Sequence, residues 1–225
     1  IAYRSDGSGV NLALDASTNR QWETGVKWQQ HSAAAVSSGS ISFFAITTDN
    51  ELLVDTAAGG RTSYRNAART QRYGLELQLR WRPNAYWRHQ FNGHYLSAQF
   101  EDAELDGNSL PGVARSQLHW QLTYLPWQSS SMFNNTELSL HSQYRSKVYL
   151  DDANSAAAPA AVTFSLGANH SQQWQQLTLD YWLALDNITD KDHVGSVIVN
   201  QSNGRAIEPA PGRQFSAGIS ARYSW

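Results

Sequence analysis

The C-terminal run Gly212 to Trp225, GRQFSAGISARYSW, alternates strictly between two kinds of side chain. Phe215, Ala217, Ile219, Ala221, Tyr223 and Trp225 share one face of an extended chain, and Gln214, Ser216, Gly218, Ser220 and Arg222 share the other. A strand rises about 3.3 Å per residue, and a tilted strand crosses the hydrocarbon of a bilayer in roughly 9 to 11 residues. This run can therefore span a membrane with lipid on one side and a polar lumen on the other. In lipid every backbone group must be hydrogen-bonded internally, so strands that span do so as a closed barrel.

The same division recurs upstream. Within Thr70 to Arg82, Leu75, Leu77, Leu79 and Trp81 oppose Arg72, Gly74, Glu76, Gln78, Arg80 and Arg82. Leu118, Trp120, Leu122 and Tyr124 oppose Gln117, His119, Gln121 and Thr123 within Val113 to Tyr124. Strands of the same kind are expected over Asn135 to Tyr149, Ala160 to Asn169 and Trp174 to Asp186, and less regular ones over Gln21 to Gln30, Ser38 to Asp55 and Tyr86 to Glu101. Polar inside and apolar outside is the pattern of a membrane barrel; a soluble sandwich rarely turns so many charges to its inner face.

This gives about nine strands by period-2 counting. Bacterial single-chain barrels have even counts, so an odd one implies a missing partner segment. The chain begins at Ile1, its only methionine is Met132, and no charged segment followed by an apolar run stands near the start. A fragment lacking its N-terminal part is expected, with a processed mature chain as the alternative.

Connector lengths give the orientation. Short or modest links are expected at His31 to Ser37, Pro83 to Ala85, Pro126 to Asn134 and His170 to Gln173, and longer ones at Thr56 to Thr62, Asp102 to Gly112, Asp151 to Pro159 and Asn187 to Pro211. Barrels have short periplasmic turns and long external loops, which puts the C-terminus in the periplasm. Trp28, Trp81, Tyr86, Trp87, Tyr124, Trp127, Trp174, Tyr223 and Trp225 then gather at periplasmic strand ends as an interfacial girdle.

The formal net charge of −2 gives no basis for nucleic-acid binding, and the absence of cysteine excludes disulfides, thiolate catalysis and cysteine metal sites. His89 and His94 point to opposite faces of a strand and cannot chelate one ion together. His119 and His141 face the lumen on adjacent strands and can meet, but two histidines without a third ligand more often line a polar wall. His141 and Ser142 are adjacent and point apart, which defeats a nucleophile–base pair. Asp151 and Asp152 with His193 carry the residue types of an external protease site, but nothing in their spacing assembles one. No enzyme activity, metal site or cofactor is expected. Arg61 and Arg65, in GGRTSYR, can meet an anionic ligand or stand at a solvated loop tip, and Asn187-Ile188-Thr189 reads as a strand-to-loop turn.

LALDNITDKDHVGS, Leu183 to Ser196, followed by EPAPGRQFSAGISARYSW, Glu208 to Trp225, resembles the end of TonB-dependent outer-membrane receptors. In that family the penultimate strand runs into Asn-Leu-Thr/Phe-Asp-Lys-x-Tyr, then a variable loop, a Pro-Gly-Arg turn and a last strand with a terminal aromatic. Here Ile188 stands for leucine, His193 for tyrosine, and Trp225 for the commonest phenylalanine. GGRTSYRNAARTQRYGLELQLRW, Gly59 to Trp81, resembles a mid-barrel loop and strand of the same family, and Ile41 to Asp55 the strand before it.

The resemblance implies an all-β antiparallel transmembrane barrel in the outer membrane of a Gram-negative bacterium. This chain, 1–225, would supply about nine C-terminal strands of a 22-stranded barrel whose N-terminal plug is absent. It implies uptake of a scarce nutrient, above all a ferric siderophore or other metal chelate, energised by the TonB complex through the plug. Arg72, Glu76, Arg80, Arg88, Glu137, His141, Arg145 and Asp180 would line the lumen and contact plug or water. Arg61, Tyr64, Arg65, Asp151 and Asp152 would meet ligand in external loops. Tyr223 and Trp225 would carry the signal read by the barrel-assembly machinery. The rival readings are a small self-contained outer-membrane barrel, enzyme or adhesin, and a soluble β-sandwich binding module.

Overall fold

A computed structural model of the chain describes residues 14–31, 35–126 and 135–225. Its strands are β1 (Thr18–His31), β2 (Val36–Ala58), β3 (Arg61–Arg82), β4 (Trp87–Phe100), β5 (Ser116–Tyr124), β6 (Thr136–Arg145), β7 (Val148–Tyr149), β8 (Ala157–Ala158), β9 (Ala161–Trp174), β10 (Leu177–Asp186), β11 (Val194–Val197), β12 (Ile207–Pro209) and β13 (Gln214–Tyr223). Nine form one sheet in the order β1-β2-β3-β4-β5-β6-β9-β10-β13, an antiparallel meander in which sequence neighbours are spatial neighbours. The remaining four make two small hairpins, β7/β8 and β11/β12, inside the connections that precede β9 and β13. The sheet is not closed: among the described residues β1 pairs only with β2, and β13 only with β10.

The register carries the two-faced sequence pattern across the sheet. One row of partners runs Trp81, His89, Leu122, Leu140, Leu166, Leu185, Phe215. The neighbouring row on the opposite face runs Arg80, Gln90, Gln121, His141, Ser165. The apolar face stays open: Phe215 is 70 %, Ile219 71 % and Leu183 51 % exposed. An apolar surface of this extent is the mark of a membrane contact, not of a soluble module with its aromatics inside.

The girdle residues Trp28, Trp81, Tyr86, Trp174, Tyr223 and Trp225 are exposed near the ends of the short-turn side. Trp87 stacks on Tyr124 with ring centroids 4.5 Å apart, and Tyr223 meets Trp225 edge-on at 5.4 Å. Trp127, and most of the expected Pro126 to Asn134 link, lie outside the described residues. Trp22 and Tyr73 occupy one outward row near the other end of β1 to β3. Tyr73 and Trp81 are about 26 Å apart along the strand, or about 20 Å along the membrane normal at a 40° tilt, close to the height of a barrel's apolar band.

Two expected connectors differ. Thr56 to Thr62 is not a long loop: β2 and β3 run on to a turn at Gly59 (φ 56°) and Gly60 (φ 76°). Positive φ at both positions gives the type I′ geometry that matches strand twist, and glycine adopts it without strain. The hairpin therefore stands well clear of the bilayer. His170 to Gln173 belongs to β9, and the turn falls at Gln175, with φ 50°, and Gln176.

The same hairpin switches faces partway up. Asn50 has φ 54°, and the register passes from Asp49↔Arg69 to Glu51↔Ala67. Below this level Thr48, Thr70 and Arg72 share the polar face; above it Glu51 hydrogen-bonds both Thr70 and Arg72, and Ala67 is buried against Ala98 and Phe100. Asn66 Nδ2 donates to the Asn50 carbonyl at 2.7 Å and holds the kink.

Candidate functional site

The concave face is built from side chains that the register aligns. Glu76, His94, Gln117 and Arg145 form one row, and Gln78, Asn92, His119, Gln143 and Thr163 the next. They line a cavity of about 540 Å³. His193 to Gly195, from the last external connection, closes one side of it. An adjoining cavity of about 360 Å³ shares Gln143, Thr163 and His193, and adds His141, Ser165, Asp186 and Gln214.

All eight residues expected in the lumen lie on this face, and most already have partners within the barrel wall. The Arg72 guanidinium donates to both Glu51 carboxylate oxygens, at 2.8 and 2.5 Å. Arg88 reaches across β5 to Glu137 at 2.8 Å. Asp180 lies 3.7 Å from Arg222 and accepts from the Ser220 hydroxyl at 3.5 Å. The Arg145 guanidinium donates to the Val194 carbonyl at 2.7 Å and to the Gly195 carbonyl at 3.4 Å, tying the last connection to the wall. Glu76 and Arg80 remain exposed on the concave face. Of these pairs Arg72–Glu51 is the most withdrawn from solvent, with side chains 22 % and 17 % exposed, and there a charge left without its partner would be costly.

His119 and His141 meet, with ring centroids 6.0 Å apart. His141 Nε2 lies 3.1 Å from Ser139 Oγ, while Ser142, as expected, pairs with Trp120 on the opposite face. Among the described residues no three His, Cys, Asp or Glu side chains are grouped to hold a metal ion.

External connections join over the lumen. Asn200 is the hub: its Nδ2 donates to the Val54 carbonyl at 2.7 Å, its Oδ1 accepts from the Asp152 amide at 3.1 Å, and its backbone joins Leu150 and Ala57. Asn154 exchanges two hydrogen bonds with the Ser109 backbone, both 2.8 Å, and Asn108 donates to the Asp152 carbonyl. Two small apolar cores finish the assembly. One sets Leu105, Leu110 and Val113 on Ala67, Ala98 and Phe100; the other gathers Ala114, Val148, Leu150, Ala158 and Val194.

The expected ligand residues fall into this assembly. Arg65 donates to Asp152 at 2.8 Å, so these two are brought together but bond each other. Asp151 accepts from the Ser155 amide at 2.9 Å, the Ser155 hydroxyl at 2.8 Å and the Ala156 amide at 3.1 Å. Burial works against its carboxylate, but these hydrogen bonds outweigh burial and hold its pKa below the ordinary value. Arg61 is exposed beside the hairpin tip, and Tyr64 is half-buried on β3. Asp151, Asp152 and His193 form no acid–base constellation: His193 Nδ1 donates to the Lys191 carbonyl at 3.0 Å. Glu51, Asn154 and Asn200 are the residues the sequence did not single out.

The two sequence blocks near the C-terminus also meet. Asn187, buried with φ 47°, accepts from the Lys191 amide and donates to the Lys191 and Pro211 carbonyls. Asp190 accepts from the Arg213 amide at 2.8 Å. Asn187 therefore marks the strand-to-loop turn, as its sequence context suggests.

A meander with a polar concave wall, an apolar convex face and inward-folded external loops defines a membrane β-barrel of the receptor type. The chain belongs to the family of TonB dependent receptor-like β-barrels, whose model matches residues 2–188. Proteins of this family lie in the Gram-negative outer membrane, and that is where this chain belongs. It is similar to BauA, the ferric preacinetobactin receptor from Acinetobacter baumannii, at 16 % identity over 99 % of this chain and 32 % of that one, with a TM-score of 0.71. The ferric citrate transporter FecA matches at 19 % identity over 91 % and 31 %, with a TM-score of 0.72. The copper transporter OprC matches at 15 % over 93 % and 32 %, with a TM-score of 0.69. The chain thus spans about a third of the length of these solved structures.

Proposed function

We propose that residues 1–225 form the C-terminal part of the barrel of a receptor that takes up a scarce nutrient across the outer membrane, with a ferric siderophore as its cargo. The observation that carries this is the concave polar wall roofed by its own external loops, a shape suited to receiving a hydrophilic ligand from outside. Two of the neighbours named above are described as handling ferric complexes, which supports that cargo. Among the described residues the outer edges of β1 and β13 have no partner strand, which favours a larger barrel over a small self-contained one, because unpaired backbone in lipid costs several kcal/mol per group. Further strands would pair those edges, and an internal plug domain would fill the lumen.

In this reading the external loops capture ligand, the plug blocks the lumen at rest, and TonB uses inner-membrane energy to rearrange it. The step is a conformational switch and not catalysis. Because the wall charges neutralise one another, the plug would meet mainly amides, imidazoles and the exposed Glu76 and Arg80. Arg61 and Tyr64 would be the first contacts for ligand on the external hairpin. The test is uptake of radiolabelled ferric siderophores by iron-starved cells with and without the full gene, and with TonB removed. Uptake that needs both supports the reading; siderophore uptake independent of the gene overturns it.

A further inference from the structure

Three successive rows of outward side chains cross β1 to β3 at the external border of the apolar band. The first holds Trp22, Ala45 and Tyr73, the second Arg20, Thr47 and Gln71, and the third Thr18, Asp49 and Arg69. Within two residues the lipid-facing surface gives way to a guanidinium, a hydroxyl and an amide, and within four to a second guanidinium. We infer that this patch docks the phosphate headgroup of an anionic lipid of the outer leaflet, whose acyl chain lies over Ala45 between the two aromatic rings. The inference goes beyond the uptake reading and rests only on the outer-membrane placement of the chain, not on any cargo.

Depth selects the headgroup. The second row stands about 7 Å and the third about 13 Å along the strand beyond Trp22 and Tyr73, or about 5 and 10 Å along the membrane normal at a 40° tilt. The polar region of a bilayer adds about 5 to 7 Å on each side of the hydrocarbon. Arg20 therefore emerges at headgroup level and Arg69 at its outer margin, within reach of a lipid phosphate for a side chain of this length. Exposed Trp22 and Tyr73 mark the boundary below them, as aromatic residues do where a barrel meets the interface.

The charges are arranged for an anion. Arg69 Nε donates to Asp49 Oδ1 at 2.7 Å, and Arg20 Nη2 lies 3.3 Å from Asp49 Oδ2, so one carboxylate spaces two guanidinia. The arginine side chains are 48 % and 69 % exposed against 25 % for Asp49, which puts the cations outermost. A guanidinium has more N–H donors than one carboxylate oxygen engages, and its planar fork matches phosphate. The other acid of the third row, Glu101, donates its amide to the Arg69 carbonyl at 3.0 Å and so flanks Arg69 on the side away from Arg20. Gln99, beside Gln71, turns its amide to the Gly107 carbonyl at 3.0 Å and stays out of the patch. The surface is open to water, where paired charges alone hold a free anion weakly. A lipid is confined to the right depth, which raises its effective concentration, and the small Ala45 leaves its chain a slot between larger side chains.

The test is native mass spectrometry of the purified full-length protein in detergent with added lipid A, whose sugar phosphates are the probe. The tightest-bound lipid should dissociate about fivefold more readily from Arg20→Gln and from Arg69→Gln, the factor that one basic residue contributes at an anionic lipid surface. Ala45→Phe fills the slot, leaves the charges intact and should also weaken binding. Arg205→Gln removes the same charge from an exposed position in the last external connection and should bind as wild type does. Inorganic phosphate at the same concentration should not displace the lipid. Should Arg69→Gln fail to fold, Arg20→Gln and Ala45→Phe carry the readout. Unchanged affinity in the folded arginine variants or in Ala45→Phe, or displacement by inorganic phosphate, overturns the docking surface. Lipid binding is read without transport, so failure of the uptake reading would leave this result standing.

Discussion

Asp190 accepts a hydrogen bond from the backbone N–H of Arg213 at 2.8 Å and lies 3.9 Å from its guanidinium, closing a connection of more than twenty residues at its base. With Asn187 bonded to Lys191 and Pro211, it joins the exit of β10 to the entry of β13. The family-like Asn and Asp of the first block and the Arg of the second are therefore parts of one structural clasp. Both side chains of the ion pair are about half exposed, so the amide hydrogen bond contributes more than the charge pair. Asp190→Ala should cost about 1 kcal/mol and speed hydrogen exchange at the Arg213 amide. Unchanged exchange there would remove the clasp.

Lipid exposure should be graded along β10. Leu183 lies near the middle of the strand, pairs with Ala168 and Ala217, and is 51 % exposed. Leu179 is two residues from the strand's periplasmic start. Leu183→Arg should destabilise the folded barrel by about 2 to 4 kcal/mol, and Leu179→Arg by about 0 to 1 kcal/mol. Equal yields of heat-modifiable folded protein from the two variants would contradict this depth assignment.

Asn200 should act as a unit with the loops it joins. Asn200→Ala removes the bonds to Val54 and Asp152 and should cost about 1 to 3 kcal/mol, as expected for part-buried backbone groups left unpaired. Hydrogen exchange should rise together at 54–57, 150–156 and 198–202. A rise confined to 198–202 would mean that the loops move independently.

The loop carrying Asp151 should loosen in acid. Its carboxylate is lowered in the folded state, so its contribution is present above the ordinary carboxylate pKa and is lost as pH falls through the folded value. Proteolytic nicking at 151–156 should increase below about pH 4 in the wild type. Asp151→Asn should show the faster nicking already at neutral pH. Identical pH profiles for both proteins would rule the carboxylate out.

The nine sheet strands and their inward and outward faces were legible because alternation is imposed locally, residue by residue, by the lipid on one side. The end of β2 and start of β3 were not. Gly59-Gly60 looks alike in a loop and in a tight hairpin, and the face switch at Asn50 breaks the alternation that would have revealed the strand. Strict alternation from inward Arg72 would turn Arg65 outward, whereas the switch turns it toward Asp152. Glu51 was missed for the same reason. Asn154 and Asn200 were invisible because their partners are remote in sequence; Val54 and Asn200 are 146 residues apart. Asp151 and Asp152 were recognisable as loop carboxylates, but only the folded loops show that both are taken up by local bonds.

The most direct test of the two-faced membrane sheet uses the absence of cysteine from residues 1–225, any cysteine elsewhere in the full-length protein being first replaced by serine. Single cysteines are placed at each position of β10 in the full-length protein and exposed, in intact outer membranes, to a water-soluble maleimide. Positions 178, 180, 182 and 184 should react, because Thr178, Asp180, Trp182 and Ala184 face the lumen, and positions 177, 179, 181, 183 and 185 should be protected by lipid. Uniform labelling, or labelling of the odd set, would contradict the account.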